Sequence, residues 1–182
     1  MEKYLKLMEK MDDQTRDHCI RVGELSYKIA RIYNFNAPIL FMMAGYLHDI
    51  GKICIPSEIL LKRGKLSESE KDLISCHPYY GYRMLSQRHI SPDLTVPILY
   101  HHGPVIKKIC FENLPIPTNT QQQIIDILVA ADQFDALSQN RIYRTAYSYM
   151  DALRIMKEEN GLPDNSINMV KHAITYSDYK TG

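Results

Sequence analysis

Apolar residues recur at spacings of three and four along most of this chain, the mark of helices that bury one face. Between residues 14 and 33 the stripe is Cys19, Val22, Leu25, Ile29 and Ile32, with His18 near its start. Asn36-Ala37-Pro38 predicts a cap and first turn for a second helix, which runs through Ala44 and Leu47 to His48. Gly51 is expected to break that helix, with Ile53-Cys54-Ile55-Pro56 continuing as an extended link. Ser57 is expected to cap a short turn through Ile59 and Leu61, and Arg63-Gly64-Lys65 reads as a turn. Ser67 with Glu70 forms a capping box for a helix reaching about Cys76. His77-Pro78 marks a boundary, because the residue before a proline avoids the helical region. Further helices are predicted over 79–89, from Ser91-Pro92 to His101-His102-Gly103, and over 120–138, 149–160 and 164–174. Residues 103–119, with Pro104, Pro115 and Pro117, show no clean period and read as a long irregular loop. The expectation is an all-α fold, one domain over residues 1–182 with about seven to nine helices.

Composition narrows the classes of function. Hydrophobic residues make up 45% of the chain and charged residues 24%, which is ordinary for a globular domain with a real core. A formal net charge of +1 gives no reason to expect duplex nucleic acid or a membrane surface as partner. No apolar run approaches the roughly 20 residues of a membrane span, and the charged N-terminus is unlike a signal peptide, so a cytoplasmic location is expected. Cys19, Cys54, Cys76 and Cys110 lack any CxxC spacing, which argues for reduced thiols over disulfides or a zinc ribbon.

The candidate chemistry centres on His48-Asp49. This pair presents an imidazole nitrogen beside a hard carboxylate oxygen and suits a borderline divalent metal. Most of the other histidines fall at helix starts or ends, where they could converge on the pair; His89 and His172 read as ordinary surface or core residues. Asp132 sits within the apolar run Leu128-Val129-Ala130-Ala131, where an unpaired carboxylate costs several kcal/mol.

The order His18, His48-Asp49, Asp132 resembles that of the HD-domain metal-dependent phosphohydrolases. Several motifs resemble the HD-GYP branch in particular: Thr15-Arg16-Asp17-His18, His48-Asp49-Ile50-Gly51-Lys52, Ile55-Pro56, and Leu66-Ser67 with Glu70. The set continues with His77-Pro78 and Gly81, His101-His102, Ala131-Asp132 with Asp135-Ala136-Leu137, and Arg141-Ile142-Tyr143-Arg144. The resemblance covers about residues 12–175 and implies an HD-type helical bundle that hydrolyses cyclic di-GMP or a related cyclic dinucleotide. It implies one metal held by His18, His48, Asp49 and Asp132, and a second held by His77, His101 and His102, with Asp49 bridging. Iron or manganese is the expected metal, two ions per chain. A hydroxide bridging such ions is available at neutral pH and attacks phosphorus in line. Lys52 would meet a non-bridging phosphoryl oxygen, and Arg141 and Arg144 resemble the positions that hold the second phosphate.

The chain departs from the branch at two motifs. Gly103-Pro104-Val105-Ile106 follows the double histidine, and no Gly-Tyr-Pro occurs; Lys107, Lys108 and Phe111 are what the loop offers instead. Gln14 stands where three-metal members carry a glutamate, which favours a dinuclear site. No sensor domain is expected ahead of the motifs, and a homodimer or a separate regulator is the expected kind of partner. The alternatives are a phosphohydrolase acting on another nucleotide, and a ligand-binding or protein-interaction module that retains the metal site.

Overall fold

The computed structural model describes residues 6–62, 64–102, 114–140 and 145–176. Arg141 and Arg144, and the loop residues Lys107, Lys108 and Phe111, lie outside them. After a helical stub at 6–8, the described residues form α1 (Asp13–Ile32), α2 (Pro38–Leu47), a 3-10 helix (Ile50–Cys54), α3 (Ser57–Leu60), α4 (Glu68–Ser75) and α5 (His77–Ser86). They continue with α6 (Pro92–Tyr100), α7 (Asn119–Ser138), α8 (Tyr149–Glu158) and α9 (Asp164–Thr175), and contain no strand. Among them no helix is long and apolar enough to cross a membrane.

The two 20-residue helices form the frame. Helix α7 packs against α1, α2, α6, α8 and α9, so its apolar residues are covered on several sides. Ile124, Ile127, Leu128, Ala130 and Ala131 are all buried in one core with Ile29, Phe41, Leu47 and Met156. Its start is fixed by a capping box that the sequence pattern did not reveal: Thr118 accepts from the Gln121 N–H while the Gln121 side chain accepts from the Thr118 N–H.

Among the described residues helices α1 and α2 make the most extensive pairing, and two glycines permit it. A Cβ on Gly45 would collide with the Gly23 main chain, and one on Gly23 would run into the Tyr46 ring. With neither present, the two backbones meet directly, which brings the N-terminal half of α1 beside the C-terminal end of α2. The His18 and His48 ring centroids stand 5.2 Å apart as a result.

Several helix boundaries differ from the sequence expectation. Helix α1 closes in a Schellman motif, with the Phe35 N–H bonded to the Ala30 carbonyl at 2.9 Å and Asn34 in the left-handed region at φ 53°. Ala37, not Asn36, occupies the cap of α2; it too is left-handed, and Pro38 keeps it out of the right-handed helical region. Gly51 does not break α2, which ends at Leu47; the chain tightens instead into the 3-10 helix that contains Gly51. Only Ile55 and Pro56 remain extended, and Pro56 takes the cap of α3, so Ser57 caps nothing. Gly51 serves a close approach: a Cβ there would collide with the His77 carbonyl and lie 2.5 Å from the Gly81 nitrogen. That contact docks the 3-10 helix on the start of α5. The expected capping box at Ser67 is present, Ser91 caps α6, and Ser148 caps α8.

Candidate metal centre

Seven residues predicted as ligands converge at one end of the frame. His18 comes from α1, His48 is the C-cap of α2, and Asp49 follows it. His77 opens α5, His101 caps the end of α6 with His102 next to it, and Asp132 lies within α7. His89 and His172 stay apart from the cluster, the latter exposed and 3.2 Å from the Tyr33 hydroxyl.

The ring orientations follow from the helix ends. His48 Nδ1 lies 2.7 Å from the Gly45 carbonyl, His77 Nδ1 2.7 Å from that of Ile74, and His101 Nδ1 2.7 Å from that of Ile98. A carbonyl only accepts, so each Nδ1 carries the hydrogen and donates, and each ring, when neutral, turns an Nε2 lone pair inward. His18 reaches the same state through a carboxylate: its Nδ1 donates to Asp135 Oδ2 at 2.6 Å. Arg21 clamps that carboxylate with two bonds, Nε to Oδ1 at 2.7 Å and Nη2 to Oδ2 at 3.0 Å.

The inward atoms form two groups. The ligand atoms of His18, His48 and Asp49 lie within 4.8 Å of one another, and so do those of His77, His101 and His102. Asp49 faces both, with Oδ1 3.0 Å from His77 Nε2, and Oδ2 3.4 Å from His48 Nε2 and 4.0 Å from His18 Nε2. Asp132 Oδ1 completes the first group, 3.0 Å from His18 Nε2 and 3.8 Å from His48 Nε2. Donors about 2.1 Å from a shared ion stand roughly 3–4 Å apart, as these do.

Two observations show that the donor set fits a cation. His48 Nε2 is fully buried yet has no hydrogen-bond partner among the described residues, an arrangement that otherwise costs about 1–3 kcal/mol. His77 Nε2 and His101 Nε2 stand 3.2 Å apart although both rings already place their hydrogen on Nδ1, so two lone pairs face each other. A divalent ion between such atoms resolves both conflicts.

Electrostatics support this for the two carboxylates and for His101 and His102, while Asp49 pulls metal-free His48 toward its charged form. Burial alone would raise the Asp49 pKa, but Lys52 and His48 outweigh it and hold the group well below the usual carboxylate range. Burial alone would raise the Asp132 pKa as well, but the His18 and His48 rings beside it hold the group well below the usual carboxylate range. Burial opposes charge on His48, yet Asp49 raises its pKa well above that of a free imidazole. Desolvation lowers His101 far below it, and brings His102 down to about 4, even though part of the His102 ring remains open to solvent. The centre thus keeps two carboxylates ionised and two imidazoles neutral, the protonation states that ligation requires.

Lys52 stands at the edge, its Nζ 2.6 Å from Asp49 Oδ2. It opens on a cavity of about 650 Å³ whose lining also includes His18, Asp49 and Gln14. A second cavity of about 370 Å³ adjoins His101, His102 and Asp132 from the other side. The Asp135–Arg21 pair is a supporting element that the motifs alone do not single out. Its signal is helical spacing: Asp132 and Asp135, and likewise His18 and Arg21, are three residues apart and so share one helix face.

A bundle with this histidine–aspartate centre is of the HD type. A sequence model of the HD domain family matches residues 15–140, and the chain belongs to that family. It is 32% identical over 160 residues to a cyclic di-GMP phosphodiesterase of Pseudomonas aeruginosa, covering 85% of this chain and 37% of that protein. It is 33% identical over 159 residues to the 3'3'-cGAMP-specific phosphodiesterase 3 of Vibrio cholerae, covering 84% of this chain and 33% of that one. These relatives are in keeping with the HD-GYP resemblance. The chain spans about a third to two-fifths of the length of the first curated relatives it matches. The HD domain of the L. monocytogenes phosphodiesterase PgpH shares the fold, with a TM-score of 0.67 at 18% identity, over 94% of this chain and 96% of that one.

Proposed function

We propose that this chain is a metal-dependent phosphodiesterase that hydrolyses cyclic di-GMP or a closely related cyclic dinucleotide. The observation that carries the reading is Asp49, a buried carboxylate whose two oxygens face two separate groups of inward-turned histidine nitrogens. Relatives named as cyclic di-GMP and 3'3'-cGAMP phosphodiesterases support the substrate class. His18, His48, Asp49 and Asp132 would hold one divalent ion, and His77, His101 and His102 the other, with Asp49 shared. Iron or manganese suits this mixed nitrogen and oxygen set. Gln14, a neutral amide at the cavity wall, favours two ions over three. When bound, such ions acidify water and neutralise charge growing on phosphoryl oxygens.

The chain's own residues do the rest. The α2–3-10 junction holds Asp49 rigid between the two groups. Lys52, three residues on, supplies a positive charge at the mouth of the cavity, where a phosphodiester oxygen must pass. Asp135 and Arg21 keep His18 turned inward. A complete donor set with settled ring orientations favours an enzyme over a module that merely keeps the scaffold.

The test is a panel of cyclic and linear nucleotides with iron- and manganese-loaded protein, run beside Asp49→Ala. Wild type should hold close to two metals per chain and cleave the cyclic dinucleotide, while Asp49→Ala should lose metal and turnover together and keep its helical spectrum. Wild type holding less than one metal after reconstitution, or full turnover by Asp49→Ala, would sink the reading.

A further inference from the structure

The smaller cavity is lined quite differently from the larger one. At about 370 Å³ it lies within the roughly 300–1,000 Å³ typical of small-molecule sites. Its inner end is formed by His101, His102 and Asp132. One wall is a single face of α7, where Gln122, Asp126, Val129 and Gln133 stand at spacings of four, three and four. The opposite wall is the α8–α9 connection with the start of α9, which contributes Asn160, Leu162, Pro163 and Ser166. The walls are tied together, since Asn160 Nδ2 donates to Gln133 Oε1 at 2.9 Å. The Leu162 N–H, bonded to the Met156 carbonyl at 3.0 Å, holds the connection against α8.

Lys52, Lys62, Lys65 and Lys71 line the larger cavity, but the described residues that line this one include no lysine or arginine. A second phosphate is therefore a poor occupant, and it is left to Arg141 and Arg144, as the resemblance implies. The polar groups that do face the space are neutral or acidic. Asp126 Oδ1 accepts from Gln122 Nε2 at 2.7 Å, and Asp126 meets no cation among the described residues, so Oδ2 is open to a donor. Ser166 is only 6% exposed, and its hydroxyl has no hydrogen-bond partner among the described residues. Ile125, Val129, Leu162 and Pro163 supply apolar surface between these groups. Apolar walls with a few hydrogen-bonding groups at the rim suit a flat, uncharged base read along one edge. Six residues of α7 separate Asp126 from Asp132, about 9 Å at 1.5 Å per residue. That is comparable with the reach from a phosphorus atom to the far edge of its purine.

We propose that this cavity holds one base of the cyclic dinucleotide and that Asp126 makes it select guanine over adenine. This rests on the function proposed above and narrows its substrates to those that carry guanine. The Watson–Crick edge of guanine offers a carboxylate two adjacent donors, the ring N–H and the amino group. The same edge of adenine places a ring-nitrogen lone pair there, which a carboxylate repels. The Ser166 hydroxyl is then available to an acceptor atom of the base.

The test uses the metal-loaded full chain as wild type, Asp126→Asn and Asp126→Glu. The substrates are cyclic di-GMP, cyclic di-AMP and bis(p-nitrophenyl) phosphate, a diester without a nucleobase. Wild type should show a KM for cyclic di-AMP about tenfold or more above that for cyclic di-GMP. Asp126→Asn should raise the KM for cyclic di-GMP about tenfold with kcat little changed, and should not raise that for cyclic di-AMP, because an amide pairs well with adenine. Asp126→Glu, which keeps the carboxylate, should keep the preference for guanine. The small diester should respond to neither change. An unchanged KM for cyclic di-GMP in Asp126→Asn overturns the assignment, as does a wild type with equal KM for the two dinucleotides; either leaves the phosphodiesterase reading intact. Equal losses on both dinucleotides, or on the small diester as well, overturn it too, since they would mark a general disturbance. If wild type cleaves no cyclic dinucleotide, the function above is wrong and the assignment falls with it.

Discussion

Four imidazoles that turn a lone pair inward must each give their other nitrogen a partner, and here the partners come in two kinds. His48, His77 and His101 use a carbonyl three residues back in the same helical segment, so their orientation is local. His18 depends on Asp135, which is 117 positions away, and on Arg21, which fixes Asp135. Asp135→Asn keeps the shape but removes the charge behind His18 Nδ1. Losing such an outer partner typically costs about 10–100-fold in metal affinity. We expect that loss in a chelator competition assay, with helical content unchanged; wild-type affinity in the variant would show that Asp135 does not govern His18. The ordered histidines and aspartates were legible in the sequence because each is a rare donor in a recognisable order. The Arg21–Asp135 clamp was not, because it exists only once α1 and α7 are packed together.

At the scale of the elements, the 3-10 helix is pinned by a direct backbone contact. Gly51 presses against the first turn of α5, and that contact sets the distance between Asp49 and His77. Gly51→Ala forces the two segments apart. Overpacking of this kind costs roughly 1–3 kcal/mol, which at about 2–4 °C per kcal/mol for a chain of this size lowers Tm by roughly 2–12 °C. Activity should fall further than stability, because Asp49 moves with the turn. Gly64, where an added Cβ would meet nothing within 4 Å, is the matched control, and Gly64→Ala should melt close to wild type. Thermal melts and turnover on the two variants check both statements. Helix positions followed from the three-and-four spacing, but several ends did not. Ala37 and Asn34 are left-handed, and Gly51 serves contact instead of termination. Such ends are decided by what the chain meets in space.

For the molecule as a whole, the centre ties α1, α2, α5, α6 and α7 together, so a bound ion should stabilise the entire fold. Binding that favours only the folded state adds about 2.7 kcal/mol at a hundredfold excess over Kd, worth roughly 5–10 °C in Tm for a chain this long. Manganese added to metal-free protein should produce that shift in wild type and little in Asp49→Ala, read by scanning calorimetry. Equal shifts in both would place the ion elsewhere. The all-α class was plain from periodicity, and the convergence of the ligands followed from family resemblance. The two cavities flanking the centre belong to tertiary packing alone.

The two donor groups also differ in when they can exist. His77, His101 and His102 belong to consecutive helices, α5 and α6, whereas His18 needs Asp132 and Asp135 from α7. A ribosome adding about 5–20 residues per second takes roughly 2–6 seconds to travel from His102 to Asp132. Through that interval the three imidazoles of the α5–α6 pair are already made, as are His18, His48 and Asp49, while Asp132 and Asp135 are not. The first group therefore gains its last carboxylate, and the clamp behind His18, only after the second has all three of its imidazoles.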